Sequence, residues 1–126
     1  MLEWLRNYLK HKDLLQKKLK DFRTEGNILT AIYKDKEKRY LVMENFEEKD
    51  FSDIDGIVVL NKEDNLKKII KAWPKLIKYT GLCLYSINPD STTEQKWAVF
   101  PSTHHQITGS LKKGLRSMFE TVDPVR

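Results

Sequence analysis

The sequence predicts a single α+β domain over residues 1–126, with the element order α-β-β-β-α-β-β-α. About five strands are expected in one mixed sheet, with the helices packed mainly on one face. Three observations lead to this prediction. The chain of 126 residues is close to the commonest size of one domain, and its 40% hydrophobic content is enough for a buried core. Segments of helical and of strand periodicity also alternate along the chain, with the strands grouped as hairpins.

The first half of the chain predicts a helical segment, a hairpin and a buried strand. Leucines recur at helical spacing across residues 2–22, which fits either one bent helix or two short ones. The runs at 28–33 and 39–43 are rich in β-branched and aromatic residues, so they predict a β-hairpin. An acidic loop, residues 44–55, leads to the continuously apolar run at 56–60. Such a run is typical of a central strand that is covered on both faces.

The second half begins with the clearest helix, residues 61–79, for which Asn61 is the expected N-cap. Pro74 is expected to kink or split this helix, because proline lacks a backbone N–H group. The segments at 82–87 and 96–100 flank a turn-rich connector and predict a second hairpin. A last helix follows from about residue 109.

The last predicted helix carries its charges in an unusual order. Lys112 and Lys113 lie in its first turns, whereas Glu120 and Asp123 lie at its end, which is opposite to the order that the helix dipole favours. We therefore expect the N-terminal end of this helix to attract anions, a phosphate group in particular. The hydroxyl groups expected to join such a site are those of Ser102, Thr103, Thr108 and Ser110.

The net charge of +5 is unevenly distributed along the chain. The acidic loop holds six acids and one lysine, so the rest of the chain carries a net charge of +10. Four lysines of the middle helix also fall within about 80° of one another, and such a row can neutralise several phosphates. The residues expected to bind an anion or nucleic acid are Lys67, Lys71, Lys75, Lys78, Lys112, Lys113, Arg116, Thr108 and Ser110. The alternative is that the lysines of the middle helix only form the solvated side of an amphipathic helix and bind no ligand.

A catalytic alternative centres on His104 and His105, because histidine exchanges protons near neutral pH. Asp53 and Asp55 are spaced to share one face of an extended strand, and their oxygens could hold Mg²⁺. A metal-dependent hydrolase or nuclease would require these histidines and the carboxylates of the acidic loop to meet in space. The ordinary interpretation is a pair of loop histidines without chemistry.

The predicted order of helix, three strands, helix and strand over residues 2–87 resembles the core of restriction-endonuclease-like nucleases. Their pattern places an Asp near one strand and a Glu/Asp-x-Lys motif on the next. Here Asp55 opens "DGIVVLNK", but the position two residues before Lys62 is Leu60 rather than an acid. The resemblance therefore implies a related fold that does not cleave nucleic acid.

Several classes of protein are excluded or disfavoured by what the sequence lacks. The single Cys83 excludes an internal disulfide and a multi-cysteine zinc site, and its apolar neighbours predict a buried thiol. No apolar stretch approaches the roughly 20 residues of a membrane span, and the N-terminus does not resemble a signal peptide. The five glycines are scattered singly, so no glycine-rich phosphate loop is present. Trp97 would stack on a base only if its strand face were open.

The leading interpretation is a cytoplasmic, non-catalytic binding domain that requires no cofactor. Its lysine-rich surface is expected to bind nucleic acid or another phosphate-bearing partner. A third hypothesis is a protein-interaction module or homodimer, because the acidic loop and the basic surfaces are complementary in charge.

Overall fold

The computed structural model describes residues 1–104 and 110–125, and these residues form one α+β domain. Within these ranges the helices are α1 (Leu2–Lys12), α2 (Glu63–Leu76), α3 (Pro101–His104) and α4 (Leu111–Glu120). The strands are β1 (Leu19–Glu25), β2 (Ile28–Tyr33), β3 (Glu37–Val42), β4 (Gly56–Leu60), β5 (Cys83–Ile87) and β6 (Lys96–Val99). Among the described residues, no helix has the length and apolar character needed to cross a membrane.

The six strands follow their chain order across one mixed sheet. β3, β4 and β5 run parallel to one another, and the other neighbouring pairs are antiparallel. Both predicted hairpins are confirmed, as β2–β3 and β5–β6, and β4 is the predicted central strand. On β4, Ile57 and Val59 face the core beneath α2 and α4, whereas Val58 faces the core beneath α1. Since α3 contacts α2, three of the four helices lie on one side of the sheet and α1 covers the other.

The first predicted helix is wrong in its second half, where the chain forms β1 instead. Leu19 and Phe22 are three residues apart, a spacing that indicates a helix in the sequence. In the structure the pairing of β1 with β2 shifts register between Leu19 and Asp21. This β-bulge lets Leu19 and Phe22 pack on the same side of the sheet, against the α1 core. Four strands rather than three therefore separate α1 from α2, so the element order that resembles the nucleases is not found.

The turn between α1 and β1 is organised by the carboxylate of Asp13. Its two oxygens accept hydrogen bonds from the backbone N–H groups of Lys18 (3.1 Å) and Leu19 (2.8 Å). Lys17 has a φ of 53°, in the left-handed region, which costs an L-residue about 1–2 kcal/mol. The turn is thus held by side-chain hydrogen bonds against local backbone strain.

Replacing Lys17 with glycine is expected to raise the free energy of unfolding by about 0.5–1 kcal/mol. Relief of the left-handed strain should exceed the extra conformational entropy that glycine gives the unfolded chain. Chemical denaturation followed by circular dichroism would measure the change. Arg23→Gly is the matched control, because Arg23 is an exposed cation paired inside β1, where glycine should be destabilising. A loss of stability in Lys17→Gly would contradict this description of the turn.

The middle helix differs from its prediction at both ends. α2 continues without a break through Pro74 to Leu76, so the proline does not split it. Pro74 lies in the last turn, where its missing N–H group removes only one hydrogen bond of the helix. The N-cap residue is Lys62, and Asn61 takes no part in capping.

Asn61 is instead the centre of a buried hydrogen-bond network, and its side chain is fully shielded from solvent. Its Nδ2 donates to the backbone oxygens of Val122 (2.9 Å) and Phe119 (3.2 Å), at the end of α4. Its Oδ1 accepts from Ser86 Oγ (2.9 Å) and from Trp97 Nε1 (2.8 Å). This network joins β4, β5 and β6 to α4, and therefore fixes where α4 lies beside α2. It also encloses Trp97, which is 5% exposed and has no open face for a base.

Candidate nucleic-acid interface

The lysine row of the middle helix lies on the outer surface of the protein. Lys67, Lys71 and Lys75 are exposed on α2, and Lys78 is exposed in the turn after it. The opposite side of α2 is buried and consists of Asn65, Leu66, Ile69, Ala72, Trp73 and Leu76. The predicted separation of a basic from an apolar side is therefore confirmed, whereas binding by these lysines stays a prediction.

A groove brings cations of α2 and α4 together. Lys67 and Ile70 line it from α2, and Lys112 and Arg116 line it from α4, around a volume of about 320 Å³. We call these four residues the basic groove. α4 is held in place because Leu115 and Phe119 are buried in the core that it shares with α2. Two sets of basic residues that are more than 40 positions apart in sequence thus share one surface.

Two of the predicted cations are paired with acids. The Arg116 guanidinium makes a two-point contact with the carboxylate of Glu63, with N–O distances of 2.6 and 2.5 Å. These hydrogen bonds hold the pKa of Glu63 below its ordinary value. Lys75 lies 3.1 Å from Glu48 of the acidic loop. The charge available to a ligand in the basic groove therefore comes mainly from Lys67 and Lys112.

The reversed charge order of the last helix is present in the structure. Lys112 and Lys113 are exposed in the first turn of α4, which contains no acid, and the last turn contains no basic residue. Ser110 is the N-cap residue and is exposed, and its side chain makes no capping hydrogen bond. Thr108, another of the hydroxyl residues predicted for this site, lies outside the described residues. Of the two lysines, only Lys112 lines the basic groove.

His104 has a local structural role at the end of α3. Its Nδ1 lies 3.0 Å from the backbone nitrogen of Phe100, which donates to it. The backbone N–H of His104 in turn donates to Phe100 O at 2.8 Å. His105, the second catalytic candidate, lies outside the described residues.

The acidic loop contributes Asp55 to the hydrogen bonds of the sheet. The Asp55 carboxylate accepts a hydrogen bond from the backbone N–H of Arg39 at 2.8 Å. The backbone N–H of Asp55 donates to Arg39 O, also at 2.8 Å. Its carbonyl oxygen accepts from Cys83 N at 3.0 Å, so Asp55 links β3, β4 and β5. Asp53 is exposed. In the ranges 1–104 and 110–125, no group of three or more His, Cys, Asp or Glu side chains is arranged to hold a metal ion.

The strand that leads to His104, β6, and the strand that follows the acidic loop, β4, are separated in the sheet by β5. Val99, at the end of β6 that leads to His104, pairs with Leu84, and Leu84 pairs with Ile57 at the start of β4. Two strand spacings put Val99 about 10 Å from Ile57 along the sheet. The hydrolase hypothesis also depends on His105, which lies outside the described residues, so the hypothesis stays a prediction.

Sequence reasoning missed two residues of this surface. Ile70 lines the basic groove although it belongs to the apolar pattern of α2, and Glu63 neutralises Arg116. Glu63 lies four residues before Lys67, and this spacing predicts an ion pair within α2 rather than a contact with α4. The contact between Glu63 and Arg116 cannot be read from the local sequence pattern of α2 or of α4.

Comparison with protein-family models, with curated proteins and with solved structures found no match for this chain.

Proposed function

We propose that this chain is a non-catalytic binding domain that contacts the phosphate backbone of nucleic acid through the basic groove. The observation that carries the proposal is the meeting of Lys67 from α2 with Lys112 from α4 in one groove. Lys71 and Lys78 extend the positive surface beyond it. The proposal includes a cytoplasmic location for the protein.

The composition of the groove favours contact with phosphates over recognition of bases. Lysine ammonium groups bind phosphates as point charges, and such contacts position nucleic acid without reading its sequence. Arg116 could read a guanine edge, but its guanidinium is occupied by Glu63. We therefore expect affinity to depend strongly on salt and only weakly on base sequence.

Fluorescence anisotropy with labelled single-stranded and double-stranded oligonucleotides of two unrelated sequences tests this proposal. A plot of log K against log salt concentration should have a slope of about −2 to −4, which corresponds to a few neutralised phosphates. The two sequences should bind with affinities within a few-fold of each other. Absence of binding at 50 mM salt, or affinity that does not change with salt, would contradict the proposal.

A further inference from the structure

A second basic cavity lies on the other side of the sheet, between the end of α1, the turn that follows it and the β2–β3 hairpin. Its volume is about 120 Å³, several times the roughly 30 Å³ that one molecule of liquid water occupies. It is lined by Leu9, Lys12, Asp13, Gln16, Lys18, Tyr33, Lys36, Lys38 and Tyr40. We call this cavity the tyrosine–lysine pocket.

The pocket combines a rigid apolar base with a positively charged rim. Leu9 and Tyr40 are 1% and 4% exposed, so both belong to the core. Four lysines surround them, and the one carboxylate that lines the pocket, that of Asp13, accepts hydrogen bonds from two backbone N–H groups. The lining residues therefore carry a net charge of +3 around a concave surface.

The walls of the pocket are fixed to each other by the backbone. Lys34 N donates to Lys18 O at 2.9 Å, which ties the hairpin to the turn after α1. Tyr33 N donates to Lys36 O at 2.8 Å and closes the hairpin. Tyr40 packs directly over Gly56, where a Cβ would lie 2.6 Å from the ring. Walls held in this way lose little further freedom when a ligand binds.

The tyrosine hydroxyls supply neutral donors beside the lysines. Burial raises the pKa of Tyr40 and the pKa of Tyr33 above the ordinary value, so both hydroxyls stay protonated at neutral pH. The ammonium group of Lys36 lies over the ring of Tyr33, 5.9 Å from its centroid.

We propose that the tyrosine–lysine pocket binds a compact dianion, a phosphate group that is free or at the end of a small phosphomonoester. The lysines neutralise its charge and the Tyr33 hydroxyl donates a hydrogen bond to one of its oxygens. This inference is independent of the basic groove, which uses other residues on the opposite side of the sheet.

Isothermal titration calorimetry with inorganic phosphate at low ionic strength tests the pocket. The wild-type chain should bind one phosphate saturably, with a Kd of about 1 mM or tighter. The double variant Lys18→Ala/Lys38→Ala should weaken binding by at least about tenfold, and Tyr33→Phe should weaken it several-fold. The control Lys20→Ala/Lys34→Ala removes the same charge from neighbouring exposed positions that do not line the pocket, and should change the Kd by less than about threefold.

A second experiment distinguishes a small phosphate ligand from the terminal phosphate of a nucleic acid. Oligonucleotides of one sequence with a 5′-phosphate or a 5′-hydroxyl are compared in the wild-type chain and in Lys18→Ala/Lys38→Ala. A preference for the 5′-phosphate that this variant abolishes would assign the pocket to a terminal phosphate. No such preference, together with phosphate binding that the variant weakens, would assign it to a small phosphomonoester. Absence of saturable phosphate binding, or an equal loss in the two double variants, would overturn the proposal.

Discussion

Replacing Asn61 with alanine is expected to lower the free energy of unfolding by about 3–5 kcal/mol. The substitution leaves the buried Trp97 Nε1 and the Ser86 hydroxyl without their acceptor, and the carbonyl oxygen of Val122 without its donor. Phe119 O also loses the hydrogen bond from Asn61 but keeps the one from Val122 N. Each buried polar group that loses its partner costs about 1–3 kcal/mol, and relaxation or entry of water recovers part of the sum. Urea denaturation followed by tryptophan fluorescence would measure the change.

Two further variants show whether the hydrogen bonds of Asn61 are responsible. Asn7→Ala on the exposed side of α1 is the control and should change stability by no more than about 0.5 kcal/mol. Asn61→Asp keeps the acceptor for Trp97 but buries a carboxylate, whose pKa burial should raise. Because the folded form then binds the extra proton, this variant should be closest to wild type at acidic pH and lose stability as the pH rises. A loss below 1 kcal/mol in Asn61→Ala would contradict the central role of the network.

Replacing the two groove lysines, in Lys67→Ala/Lys112→Ala, is expected to weaken oligonucleotide binding by at least about tenfold at low salt. Both side chains are exposed and alanine is the best helix former, so the fold should be retained. Lys112 also opposes the dipole of α4, so its removal should stabilise the helix by a few tenths of a kcal/mol. Reduced binding with unchanged or higher stability would distinguish lost contacts from unfolding.

Lys112→Glu and Lys113→Glu form a closely matched pair for the same question. Both change the charge by the same amount in the first turn of α4, so both should stabilise the helix to a similar extent. Lys112 lines the groove and Lys113 does not. Anisotropy should therefore show the larger loss of affinity for Lys112→Glu, and equal losses would indicate a diffuse electrostatic surface rather than a groove.

Local sequence pattern predicts most of the fold. It fails where contacts between distant parts of the chain decide the structure that a local spacing adopts. The hairpins and the buried side of α2 follow from local pattern, because one face of each element must be apolar. β4 follows from its continuously apolar run, because both of its faces are covered. The interval between Leu19 and Phe22 has the spacing of a helix, but a β-bulge produces the same spacing in a strand. Asn61 has the sequence features of an N-cap, yet its partners lie 25 or more positions away in sequence.

The same limit applies to the candidate sites. The exposed lysine row of α2 was readable from sequence, because it follows from one helical period. The groove with Lys112 depends on how α4 packs beside α2, and the pairing of Arg116 with Glu63 removes a cation that the charge count includes. The tyrosine–lysine pocket gathers residues from α1, a turn and a hairpin, so it depends on how these three segments pack together.

The salt dependence of oligonucleotide binding in matched double variants tests the proposed function most directly. Binding constants are measured from about 50 to 200 mM salt for the wild-type chain, Lys67→Ala/Lys112→Ala and Lys20→Ala/Lys34→Ala. Only the groove variant should lose affinity by tenfold or more, with a slope of log K against log salt that is smaller in magnitude by about 2. Equal slopes and affinities for the two double variants would contradict binding in the groove.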